Sequence, residues 1–238
     1  MTTHISTHNP VRSDLPSGSA TAPRRTPSRR WALAGIGSAV AALGGGIAAG
    51  MVNAVYDPAI SDDADAVLDR LGDFTPQMVV FQVLTSISAL LLAVFAVGLF
   101  RRLRAAAPSD SLAPGLAAFG LLGTAVVLVL GTSLNTEFAF GVAEEGLLVP
   151  EAAVVYNHWI GTVPACWILA GLTGLAMYAV ARSGGVPRWL GRVGLVLGGL
   201  TLLVGVLPVQ YMAGLTGALW LLVTAIGFAI GDKAHRSA

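Results

Sequence analysis

From Trp31 onward the chain is a succession of apolar runs separated by short polar breaks, and the pattern occurs six times. The runs cover approximately Trp31 to Tyr56, Gln77 to Phe100, Gly115 to Thr136, Ala153 to Ala181, Arg188 to Pro208 and Tyr211 to Ile230. They are long rather than periodic, so none reads as a surface helix with one wet face. A helix rising 1.5 Å per residue takes about 20 residues to cross a hydrocarbon core of roughly 30 Å, and every run meets that length. Strands of an outer-membrane barrel would instead alternate apolar and polar over about ten residues. Helices also satisfy every backbone N–H and C=O where no water is available. The expected fold is all-α: a polytopic membrane protein, a bundle of six transmembrane helices spanning residues 31–231, with tails at 1–30 and 232–238.

The first thirty residues are rich in Ser, Thr, Pro and Arg, with few bulky apolar residues. Such a segment cannot bury enough surface to offset its ordering entropy, and it reads as a disordered tail. Ser28-Arg29-Arg30-Trp31-Ala32-Leu33 also resembles a twin-arginine export signal, with Ala48-Ala49 as a small-residue cleavage site. Against cleavage stand the length of the first run and the five runs that follow it.

Composition sharpens the class. Hydrophobic residues make up 55% of the 238, and charged residues only 11%, against roughly 25% in soluble domains. With a mean hydropathy of +0.73, this excludes an ordinary water-soluble enzyme, a disordered chain and a protein that grips nucleic acid on a basic surface. Net charge is +1 and there is one cysteine, so neither a charged partner nor a disulfide framework follows from totals.

Where the charges sit says more. Of the 14 Lys and Arg, all but Arg70 precede the first run, follow the sixth, or lie in or around the turns after the second and fourth. Asp57, Asp62, Asp63, Asp65, Asp69, Asp73, Glu137, Glu144, Glu145 and Glu151 lie in or beside the first two loops of the opposite side. The positive-inside rule then places both termini of a plasma-membrane protein in the cytoplasm. Trp31, Tyr178 and Trp189 near the inner ends, and Tyr56, Trp159 and Tyr211 near the outer ends, suit the headgroup zone. Trp167 and Trp220 lie deeper, and their indole N–H groups are expected to find partners within the bundle.

Gly46 and Gly50, Gly194 and Gly198, and Gly227 and Gly231 each have the spacing that lets two helix backbones approach closely. They serve intrachain packing or, alternatively, a homo-oligomer or membrane-partner face. The first run, mostly Ala and Gly, is expected to be enclosed by its neighbours. Leu116 to Gly131 matches Leu190 to Gly205 when Gly120 is set against Gly194, a faint parallel repeat. In the first outer loop, Ser61 as cap, acids after it and Gly72 at the end predict a short helix lying on the bundle.

The spans hold few groups that carry chemistry. Glu137 at the rim of the third and His158 in the fourth flank a short loop and are expected at one depth; Asn135, Asn157, Gln82 and Tyr211 approach the same level, as do Asn53, Tyr56 and Gln210. Such a cluster can bind a headgroup or small ligand, with Glu137 orienting His158 as a base. The alternative is that these groups only satisfy one another or face the wet interface. Pro164 cannot donate to the carbonyl of Ile160 and predicts a kink, with Thr162 or a water taking up the freed carbonyl. Cys166 reads as a buried thiol. With one membrane histidine, a bis-histidine haem or three-histidine zinc site cannot form in one bundle, so no cofactor and no metal are expected.

Pro187-Arg188-Trp189-Leu190-Gly191, followed by Gly194-Leu195-Val196 and Gly198, resembles the start of the penultimate span in an uncharacterised bacterial six-pass family known only as a domain of unknown function. The resemblance implies six spans over most of residues 31–230 and no activity. High Ala, Gly, Val and Arg with a single Lys is consistent with an actinobacterial source. Three roles follow from these readings. The first is a non-enzymatic accessory, sensing or scaffold protein among membrane lipids. The second is a lipid-active enzyme or ligand binder using the outer cluster, and the third a transporter of a small neutral or lipophilic compound.

Overall fold

A computed structural model describes residues 29–144 and 146–231. Of the tails expected at 1–30 and 232–238, residues 1–28 and 232–238 lie outside the described residues, and Arg30 already begins the first helix. Six helices are long and apolar enough to cross a membrane: Arg30–Met51, Thr75–Arg104, Ala113–Val142, Pro150–Arg182, Arg188–Val206 and Gln210–Ile230. The fold is an all-α six-helix bundle.

The first span is α1 (Arg30–Met51). It ends short of the expected Tyr56, because the chain leaves helical geometry at Val52 and makes a 3-10 turn at Ala54–Tyr56. The outer-loop helix is α2 (Ala64–Gly72). Its cap is Asp63 rather than Ser61: the Asp63 carboxylate accepts from the N–H groups of Asp65 and Ala66 at 3.1 Å, satisfying donors that the first turn cannot pair. Val67 and Leu71 on one face of α2 are fully buried, which holds it against the bundle.

The second and third spans, α3 (Thr75–Arg104) and α4 (Ala113–Ala143), run longer than the apolar runs alone indicate. Arg101, Arg102 and Arg104 form the last turn of α3, where cations oppose the negative end of the helix dipole. The fourth span is interrupted as Pro164 requires. It comprises α5 (Pro150–Thr162), a 3-10 turn at Val163–Trp167 and α6 (Ile168–Arg182). Thr162 does not cap the Ile160 carbonyl; its hydroxyl donates to the carbonyl of His158, one turn earlier, at 2.8 Å. The fifth span joins α7 (Arg188–Val193) to α8 (Gly199–Val206) through a π-turn at Gly194–Gly198. The sixth opens with a 3-10 turn, continues as α9 (Ala213–Ile226) and ends in a π-turn at Gly227–Gly231.

The six spans form a closed ring in chain order. Each packs on the next, the sixth returns to the first, and the fourth also touches the sixth across the middle. At the basic end the seam between first and last spans is tight. Trp31 packs on Phe95 and Phe228 with ring centroids 5.4 and 5.3 Å apart, and a Cβ on Gly35 would lie 2.8 Å from that of Ala225. The first span is not the enclosed one: Leu33, Val40 and Ile47 on α1 are exposed, whereas the sixth span is the most buried of the six. Small residues let α1 sit flat against two neighbours, but a ring position still leaves one face to lipid.

Gly194 and Gly198 cross the fourth span at Gly171 and Gly174. A Cβ on Gly194 would stand 2.4 Å from the Gly174 carbonyl oxygen, and one on Gly174 would stand 2.6 Å from that of Gly194. Gly227 likewise fits under Leu190 and Trp189. Gly194, Gly198 and Gly227 thus serve contacts within the chain. Gly46 and Gly50 do not: nothing lies within 4 Å of a Cβ on either.

Candidate functional site

The first and sixth spans meet at the basic end and diverge toward the acidic end. Between them opens a cavity of about 250 Å³. Its walls come from α1 (Leu43, Gly46, Ile47), α3 (Phe81, Thr85, Ser88), Leu128 of α4, the 3-10 turn of the fourth span (Val163, Pro164, Trp167) and the start of the sixth (Tyr211, Gly214, Leu215). Gly46, Ile47, Tyr211 and Leu215 are exposed, so the mouth lies between the first and sixth spans on the perimeter of the bundle. Its shape follows from backbone chemistry: Pro164 tightens the fourth span into a 3-10 turn, and Gly214 admits that turn, since a Cβ there would stand 2.6 Å from the Pro164 Cβ.

The lining is largely apolar, with a few polar groups. At the floor, the Ser38 hydroxyl donates to the Ser88 carbonyl at 2.9 Å, with the two hydroxyls 3.2 Å apart. Thr85 and Trp167 are 4% and 3% exposed. Neither the Thr85 hydroxyl nor the Trp167 indole N–H has a hydrogen-bond partner among the described residues, unlike Ser88. Both atoms keep some accessible surface, unlike the fully buried unpaired Trp220 Nε1 and Thr224 Oγ1, so each is free to donate to an acceptor held in the adjoining cavity. Trp167 was expected to find a partner inside the bundle; instead it lines this cavity. Trp220, expected to do the same, is fully buried with its N–H unpaired. It packs against Gly174, whose added Cβ would stand 3.2 Å from Nε1, at a crossing where helix carbonyls are already engaged.

The residues singled out from the sequence have three separate fates. Asn157, fully buried, donates to the Val52 carbonyl at 2.9 Å and accepts from the Val55 N–H at 3.3 Å. It replaces the helical bonds that α1 gives up at its end. Asn135, 1% exposed, donates to the Met78 carbonyl at 3.1 Å and accepts from the Tyr156 hydroxyl. Both amides are therefore occupied in joining spans. Gln82 lies on the α3 stripe with Met78 and Ser86, facing α4, and its Oε1 is buried without a partner.

Glu137 and His158 are both exposed, and among the described residues no hydrogen bond joins them. The third span continues past Glu137 to Ala143, so Glu137 sits within a helix rather than on its rim. His158 faces the first outer loop instead: its Nδ1 is 3.5 Å from the Tyr56 hydroxyl and the two rings meet edge to face. Tyr211 alone of the six candidates lines the cavity. Thr85, Ser88 and Trp167 were not singled out as a site. Their only signal was a Thr and a Ser three residues apart on one helix, and a proline three residues before a deep tryptophan.

Neither the curated proteins nor the solved structures contain a match to this chain. A family model matches residues 33–231, nearly the whole of the ring of spans. On that match the chain belongs to the family described as domain of unknown function DUF4386.

Proposed function

We propose that the protein is a bacterial plasma-membrane protein with both termini in the cytoplasm, and that it binds a small, uncharged, lipophilic molecule carrying a carbonyl or ether oxygen. The role is of the accessory or sensing kind. The observation that carries this reading is the cavity beside Thr85 and Trp167, apolar in its walls and supplied with unpaired donors. An apolar cavity of roughly 150 Å³ already admits benzene, so about 250 Å³ accommodates a compact ligand or one arm of a larger one. Binding sites of this type are mostly apolar, with a few polar groups that fix orientation. The mouth opens sideways between the first and sixth spans, so a molecule dissolved in the bilayer reaches it without crossing water. Nothing in this reading uses Glu137 or His158 as a base, and no reaction is assigned.

The test is a thermal-shift titration in detergent with 2-decanone and, in parallel, decane. A ligand bound only by the folded state raises Tm in proportion to RT ln(1 + [L]/Kd). The ketone is expected to stabilise the protein more than the alkane does. Gly46→Leu, which meets no atom near its Cβ and fills the mouth, is expected to abolish the difference, and Thr85→Val to reduce it. Equal shifts for ketone and alkane, or a ketone shift that survives Gly46→Leu, would refute the proposal.

A further inference from the structure

A second cavity, of about 240 Å³, lies at the opposite, basic end of the bundle, lined by Tyr178, Ala181, Arg182, Arg188 and Arg192. We infer that it is a binding site for the phosphate of an anionic phospholipid headgroup. It is remote from the cavity between the first and sixth spans and does not depend on the role proposed for that one.

The convergence of the three arginines follows from local structure. Arg182 is the last residue of α6, and the chain reverses through Gly184, whose φ of 81° only glycine adopts readily. Arg188 and Arg192 are four residues apart on α7 and so share one face. The two helices can lie together because Gly191 has no side chain: a Cβ there would stand 2.3 Å from that of Ala181. Three arginine side chains thus line one hollow, with the half-buried Tyr178 as its wall.

A preference for cations at this end of the bundle explains why arginines occur here, but not why these three converge and stay unpaired. Elsewhere at the same end Arg29 donates to the Ala229 carbonyl at 3.1 Å and Arg104 to the Ser109 carbonyl at 2.9 Å. Among the described residues, Arg182, Arg188 and Arg192 have no hydrogen bond and no carboxylate partner, and the Tyr178 hydroxyl has no partner either. Like charges held around one hollow repel unless an anion bridges them. The planar fork of arginine pairs bidentately with phosphate oxygens, and basic pockets between spans are suited to lipid phosphates. The source of the phosphate is indicated by what lies beyond. From Arg192 the exposed face of the fifth span continues through Val196 and Leu203, both more than half exposed. Acyl chains of a lipid whose headgroup sits on the arginines would lie along that apolar face, which offers nothing to a free phosphate ion.

Native mass spectrometry of the delipidated full-length protein, titrated with phosphatidylglycerol and with phosphatidylcholine, tests this. The wild type is expected to retain phosphatidylglycerol preferentially. Arg182→Gln/Arg188→Gln/Arg192→Gln is expected to lose at least about tenfold in that affinity, and Arg101→Gln/Arg102→Gln/Arg104→Gln, with the same change of charge, less than about twofold. Equal losses in the two triple variants would overturn the site. Competition by millimolar inorganic phosphate would overturn its assignment to a lipid. Should the first triple variant not fold, Arg188→Lys/Arg192→Lys keeps the charge and removes the fork. A loss of at least about threefold is then expected, and unchanged affinity would overturn the proposal.

Discussion

The crossing of the fourth and fifth spans supplies a prediction with a built-in control. In Gly194→Ala the new methyl would stand 2.4 Å from the Gly174 carbonyl oxygen. That atom belongs to a helix backbone and cannot rotate aside, so the spans must separate. In Gly46→Ala the same methyl meets nothing within 4 Å. Each exchange gains about 0.8–1.0 kcal/mol of helix propensity, and because both gain it, that contribution cancels when the two variants are compared. What remains is the cost of overpacking, roughly 1–3 kcal/mol, taken near the upper limit because the obstacle is backbone on both sides of the contact. For a chain of this size each kcal/mol moves Tm by about 2–4 °C, so Gly194→Ala is expected to melt roughly 6–12 °C below Gly46→Ala. The readout is the fraction of protein that remains monodisperse on size exclusion after heating in detergent. Melting points within about 2 °C of each other would show that the glycine crossing is not the close contact described above.

Other outcomes follow from the polar groups. Asn157→Leu strands the Val52 carbonyl and the Val55 N–H; at about 1–3 kcal/mol for each unpaired group, stability should fall by roughly 2–6 kcal/mol, whereas the adjacent, exposed His158→Ala should change it by less than about 0.5 kcal/mol. Tyr156→Phe keeps the stacking on Phe138, whose ring centroid is 4.8 Å away, but removes the hydroxyl that Asn135 accepts. A loss of about 1 kcal/mol is expected in the same melting assay. Asp63→Ala removes the cap of α2 at a cost of about 1 kcal/mol, and hydrogen exchange should accelerate across residues 64–72 while the spans stay protected.

Much of the architecture is written in the order of residues. Six apolar runs of membrane-crossing length admit one class of fold, since lipid offers no partner to an open backbone. Pro164 announces the break in the fourth span because a missing N–H acts locally, and Gly72 and the acids before it announce α2 for the same reason. Those readings need no knowledge of what lies across the bundle. The ends of the spans were harder. Whether Val52 continues α1 is decided by Asn157, more than one hundred residues away in the chain, whose amide takes over the bonds that the helix relinquishes.

The site shows the same division. The sequence marked Glu137 and His158 because ionisable groups are scarce in the spans, and scarcity is visible without coordinates. Rotation of a helix about its axis is not, because each span is apolar on nearly every side and its composition does not say which side faces in. Tertiary packing turned Glu137 outward, set His158 against Tyr56, and consumed Asn135 and Asn157 in holding spans together. It also produced both cavities. One exists because the first and sixth spans close at Gly35 and part at Gly46. The other exists because Gly191 lets α7 lie on Ala181 and so carries two arginines to a third. Composition determined that this chain lives in a bilayer, through the free energy of transferring each run. Where its donors and cations converge was decided only by how six nearly featureless helices were fitted together, glycine against carbonyl.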